Sequence, residues 1–108
     1  MTAPLKTHWY YILMSLAGGD RHGLAIARDV KQFSAGRVTL WPATLYGSLE
    51  DLADAGWIAE LADRDLPDES DRKKFYTLTR AGRATLNAET RRLADLVKLA
   101  RSLSRRQT

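Results

Sequence analysis

The spacing of the apolar residues changes at Gly56, and that change limits the folds open to this chain. Before it, apolar positions recur at three and four. They are Trp9, Ile12, Leu13 and Leu16 in a first segment, Ile26, Val30 and Phe33 in a second, and Leu45, Leu49 and Leu52 in a third. That is the spacing of helices with one buried face. From Trp57 to Leu61, and again from Lys73 to Leu78, the pattern alternates as half-buried strands do. Helical spacing then returns through Leu86, Leu93, Leu96, Val97, Ala100 and Leu103.

The punctuation sets the boundaries. Gly18-Gly19-Asp20 ends a helix over 5–17, with glycine expected in the left-handed cap. A second helix over 22–33 is broken by Ser34-Ala35-Gly36, and Val38-Thr39-Leu40 reads as a very short strand. Pro42 opens a third helix, where its missing N–H has no helical partner to lose, and Gly56 closes it. Residues 63–72 are polar with one proline, which suits the tip of a hairpin. Thr79 is the expected N-cap of a last helix that runs to about Ser104.

Helix, helix, helix, hairpin, long helix is the order of a winged helix-turn-helix, mainly α with a small β-hairpin. Residues 1–78 would form that domain and residues 79–108 a C-terminal dimerisation helix. A chain of 108 residues has one modest core and cannot cover the whole leucine stripe of the last helix. Unpaired leucines at near-heptad spacing find a partner helix, so a homodimer is expected through Leu86, Leu93, Leu96, Val97, Ala100 and Leu103.

Composition narrows the chemistry. The absence of cysteine excludes disulfides and thiolate metal sites, and His8 and His22 are far apart. The acidic run of Asp63, Asp65, Asp68, Glu69 and Asp71 lacks the glycine and closing glutamate of a calcium loop. No metal and no cofactor are expected. No apolar run approaches the ~18 residues of a membrane span, and the first twenty residues read as a folded helix, not a leader. A cytoplasmic protein without membrane contact follows. There is no Ser-His-Asp order, P-loop or dinucleotide turn, so an enzyme is not expected.

The net charge of +4 is unevenly placed. Residues 1–56 carry five basic and five acidic groups, residues 57–76 four and six, and residues 77–108 eight and two. A basic chain of this size suggests nucleic acid or another polyanion, and for a winged helix double-stranded DNA, although many small domains are basic for solubility alone. In a winged helix the third helix, here 42–55, enters the major groove. Its outward side begins with Pro42, Ala43, Thr44, Tyr46 and Gly47 and contains no lysine or arginine. Gly47 lets the backbone approach bases, although it equally suits helix packing. Tyr46 reads as a phosphate ligand or as a residue at the core edge. Glu50, Asp51 and Asp54 would repel phosphates, so contact is confined to the first two turns. The wing over 62–75 must then supply positive charge through Arg72, Lys73 and Lys74, unless these merely balance the acidic loop. Arg21, Arg28 and Arg37 are weaker phosphate candidates. The helix-four arginines read as its solvated face.

Four motifs in order carry a resemblance: His22-Gly23-Leu24, Pro42-Ala43-Thr44-Leu45-Tyr46, Leu52 to Ile58, and Tyr76 to Gly82. With them the chain resembles the PadR family of bacterial transcriptional regulators over roughly residues 8–90. Leu24 stands where the family has tyrosine, and Trp41 where a small polar residue is common. The single last helix is similar to the short-form members. The resemblance implies a dimeric repressor on a palindromic operator. It also implies a small aromatic effector, since some members release DNA on binding one. In some, a tryptophan of the last helix builds the effector pocket; Leu93 holds the matching place here. Trp9, Tyr10 and Tyr11 point three ways around their helix; core packing is the favoured reading for them, and any that face the dimer cleft form a candidate effector pocket with Leu93 and Val97. The competing expectation is a winged-helix module that binds protein and does not read DNA.

Overall fold

The computed structural model describes residues 4–61 and 74–106. The elements are α1 (Thr7–Ala17), β1 (Arg21–His22), α2 (Gly23–Phe33), α3 (Pro42–Asp54), β2 (Ile58–Leu61), β3 (Phe75–Leu78) and α4 (Arg80–Arg106). The architecture is the expected one, mainly helical with a small antiparallel sheet and a long last helix.

Apolar stripes of the helices meet in one core. Ile12, Leu13 and Leu16 of α1, Ile26 and Val30 of α2, and Leu45, Leu49 and Leu52 of α3 are buried together, with Ile58 and Tyr76 of the sheet. Each buried side chain of this size contributes about 1.5–3 kcal/mol of transfer free energy. Leu86 of α4 closes the core from the other side. Phe33 breaks the α2 pattern: it stands exposed at the helix end, where α2 has run past the core.

The sheet has three strands in the order β1-β3-β2, all antiparallel. Arg21 pairs with Tyr76 and His22 with Phe75 on one edge of β3, while Ile58 pairs with Leu78 on the other. The two-residue β1 is unexpected, because so short a segment has no measurable period. Val38-Thr39-Leu40 is not a strand: among the described residues no strand pairs with it, and Leu40 is simply buried. Ser34 organises that connection. Its side chain accepts from the Val38 N–H at 2.9 Å and donates to the Lys31 carbonyl at 3.2 Å.

The caps differ in kind. Gly18 after α1 is right-handed, not left-handed, and the positive φ falls on Gly19 instead. His22 caps α2 by accepting the Ala25 N–H on Nδ1 at 3.2 Å. Thr79 caps α4: its Oγ1 accepts the Gly82 N–H at 3.0 Å and donates to the Gly56 carbonyl at 2.6 Å. One side chain thereby ties the start of α4 to the end of α3.

The first turns of α4 lie against α1. The Thr90 hydroxyl donates its one proton to the Leu86 carbonyl at 2.9 Å, so Tyr10 must donate to Thr90 across their 2.7 Å contact. Glu89 is buried in the same seam and bound in two places by Arg92, at 2.8 and 2.7 Å. At 27 residues, α4 is about 40 Å long, and its second half extends past the body of the protein. The longest axis of the molecule is 62 Å.

Candidate nucleic-acid interface

Helix α3 presents its first two turns to solvent. Pro42 occupies the first turn behind Trp41, whose side chain makes no cap bond to the helix. Pro42, Ala43, Thr44 and Gly47 are exposed, and Tyr46 is 48% exposed. A β-carbon added at Gly47 would meet nothing within 4 Å. Helix packing within the chain therefore gives no reason for a glycine there. Ser48 is buried and takes no part in this surface.

Tyr46 is held from below. Its ring lies over the backbone of Gly23, where a β-carbon would sit 3.1 Å from the ring and 3.2 Å from the hydroxyl. The histidine-glycine pair at the start of α2 thus has two tasks. His22 caps the helix and packs edge-on against Phe75 at 5.6 Å, and Gly23 makes room for Tyr46.

Beyond Gly47 the surface turns acidic. Glu50, Asp51 and Asp54 are exposed, and no ion pair reaches them among the described residues. On the sheet side, Lys74 is exposed with its Nζ 3.8 Å from Glu60. A pair so long and so wet contributes well under about 1 kcal/mol and leaves the ammonium able to move. Arg72 and Lys73, the other expected wing cations, and the acidic run from Asp63 to Asp71 lie outside the described residues. Arg28 and Arg37 are exposed. Arg21 is committed elsewhere: its Nε donates to Asp29 at 2.9 Å, and buried Ser15 donates to the same oxygen at 2.7 Å. That trio locks α1 to α2.

Trp41 enters the sequence reading only as a departure from the family pattern, with no site role. It is 70% exposed at the leading end of α3. Its departure from a small polar residue was the available signal.

The other predicted groups fall as follows. Leu86 of the expected dimer stripe is buried in the chain's own core, Leu93 is half-buried, and Leu96, Val97, Ala100 and Leu103 are exposed. Leu99, not counted in the stripe, is exposed beside them. The aromatic trio diverges. Trp9 packs edge-on against Trp57 at 6.1 Å with the Lys6 ammonium 4.8 Å from its ring, Tyr10 reaches Thr90, and Tyr11 is half-buried. None of these rings contacts another of the trio. Among the described residues no cluster of three His, Asp or Glu side chains is placed to hold a metal ion. No helix among them is long and apolar enough to cross a membrane.

A profile described as the transcriptional regulator PadR-like family matches residues 12–88. None of the curated proteins matches the chain. Several solved structures are similar. A PadR family transcription regulator from hypervirulent Clostridium difficile superposes with a TM-score of 0.75 at 19% identity, over 91% of this chain and 98% of that one. A transcriptional regulator from Clostridium thermocellum gives 0.71 at 19% identity, over 88% and 87%. Bacillus subtilis PadR in complex with operator DNA gives 0.64 at 26% identity, over 77% of this chain and 46% of that one.

Proposed function

The chain belongs to the PadR-like family of transcriptional regulators, and from that premise we propose that it is a homodimeric repressor that reads a palindromic operator. Residues 1–78 form the reading head and residues 79–108 the dimerisation helix. The tip of α3 enters the major groove, and the wing lies on the phosphate backbone. The observation that carries this reading is the open space around Gly47, on an exposed, uncharged tip whose glycine has no packing role inside the chain. A helix that costs itself about 1 kcal/mol of propensity there gains a closer approach to base edges. The similarity to Bacillus subtilis PadR, solved with operator DNA, supports the same assignment.

Within that tip, Ala43 and Gly47 allow apolar contact with bases. Thr44 and Tyr46 donate to base edges or phosphate. The unbonded N–H groups of the first turn favour a phosphate. Glu50, Asp51 and Asp54 stop the helix from going deeper. Lys74, with Arg72 and Lys73, supplies the counter-charge. The exposed part of the α4 stripe, from Leu93 to Leu103, pairs with a second copy and sets the spacing of two half-sites. A small aromatic effector bound near Trp9, Tyr10, Tyr11, Leu93 and Val97 would act across that dimer seam.

Titrating a labelled random duplex with the protein at several salt concentrations tests the central claim. Affinity should fall as salt rises, with a log–log slope of several units. A slope near zero would sink DNA binding and leave the protein-interaction module.

A further inference from the structure

A cleft of about 580 Å³ opens between the second half of α3 and the sheet, and the reading above gives it no task. Its volume lies in the range of small-molecule sites. Tyr46, Glu50 and Asp54 form one wall; Glu60, Lys74 and Tyr76 form the other. Among the described residues, three carboxylates thus face one ammonium, and that ammonium already leans toward Glu60. Glu50 and Asp54 stand four residues apart on one helix face, where like charges repel.

Tyr76 supplies an independent sign. It is only 6% exposed, it lines the cleft, and its hydroxyl has no hydrogen-bond partner among the described residues. No buried side-chain polar atom among the described residues lacks a partner, so this hydroxyl is one that the cleft leaves open to solvent. Burial, then the charge of Glu60 and then Tyr46, pushes the phenol pKa up, so the group remains a neutral O–H at physiological pH. Across from it the Tyr46 ring is fixed by the backbone of Gly23. Two phenol rings and unpaired carboxylates around one space are the surroundings that recognise an ammonium group.

We propose that this cleft binds an organic ammonium compound with an aromatic body, its nitrogen between Glu50, Asp54 and the Tyr76 hydroxyl. The aromatic body packs on Tyr46 and on Leu49 at the cleft wall. The ligand then rests against the helix assigned to the major groove. That consequence depends on the DNA reading, whereas binding itself does not.

The test uses the full chain without DNA, so its outcome is separate from that of the salt titration. Phenethylammonium, 2-phenylethanol and 3-phenylpropionate are titrated in turn, with backbone amide shifts followed by NMR. Phenethylammonium should give saturable shifts at Gly23, the second half of α3 and Tyr76. The alcohol should bind at least roughly five-fold more weakly and the acid not measurably. Glu50→Gln and Asp54→Asn, both at exposed positions, should each weaken the ammonium roughly five-fold, and Tyr76→Phe should weaken it too. Equal shifts from alcohol and ammonium, shifts confined to α4, or unchanged affinity in the two carboxylate variants would overturn the site.

Discussion

Gly82 lies directly against the main-chain carbonyl of Trp57, with no room between them for a β-carbon. The same carbonyl accepts the Thr79 N–H at 3.1 Å, and the Thr79 side chain bonds both Gly82 and Gly56. The threonine and glycine three residues apart are therefore one device that seats α4 on the entry to β2. Gly82→Ala should destabilise the fold by at least about 1–3 kcal/mol, because the obstacle is backbone and cannot rotate away. Urea unfolding measures it, and an unchanged midpoint would contradict the close approach.

Gly47 should behave in the opposite way. Its added β-carbon meets open space, so Gly47→Ala should raise stability by up to about 1 kcal/mol through helix propensity. Gly47→Leu should leave the unfolding midpoint near that of the parent yet lose operator affinity. Full DNA binding by the leucine variant would remove α3 from the groove.

On the proposed reading the wing cations carry charge but no sequence preference. Lys73→Ala combined with Lys74→Ala should weaken all duplexes to a similar degree. It should also reduce the salt slope by up to about two units, near one per lost phosphate contact. A changed preference among operators, with an intact slope, would assign these lysines to base reading.

Val97 and Leu103 are exposed and do not support the chain's own core. Val97→Glu and Leu103→Glu should each yield a folded monomer by sedimentation velocity. Leu86→Ala should behave differently, losing about 2–5 kcal/mol of stability because that side chain is buried within the chain. Persistent dimers in both glutamate variants would place the interface elsewhere.

Glu89 gives a pH dependence of defined sign. Hydrogen bonds from Arg92 hold its carboxyl below the usual range; burial opposes this, and the Arg92 charge and a backbone hydrogen bond at Leu5 add to the lowering. A carboxyl depressed in the folded state stabilises it fully above the unfolded value, and that benefit is lost as pH falls through the folded one. Glu89→Gln should therefore be less stable than the parent at about pH 7, and the gap should narrow as pH falls below the ordinary carboxylate value. A gap that stays constant over that range would mean the charge is not what Glu89 contributes.

Much of this protein was legible from local pattern. A helical period needs only the residues within the helix, so α1 to α4 were readable from their apolar stripes. Proline in the first turn and the Thr79 cap are equally local. The exposed tip of α3 was legible as far as Gly47, since an outward face is the complement of the apolar one. Which of its neighbours is committed to another bond was not legible. Arg21 reads as a weaker phosphate candidate in the sequence, and only the fold brings Asp29 and Ser15 to it.

The sequence by itself determined the order of the four helices and of β2 and β3, because period, caps and breakers act over a few residues. The tertiary structure decided what covers each face. It buried Leu86 but left Leu96, Val97 and Leu103 in the open, although all four share one pattern. It exposed Phe33, created β1 by setting Arg21 and His22 beside β3, and enclosed the Tyr46–Tyr76 cleft from residues thirty positions apart. A period says that a face is apolar; only the distances between elements say what meets it.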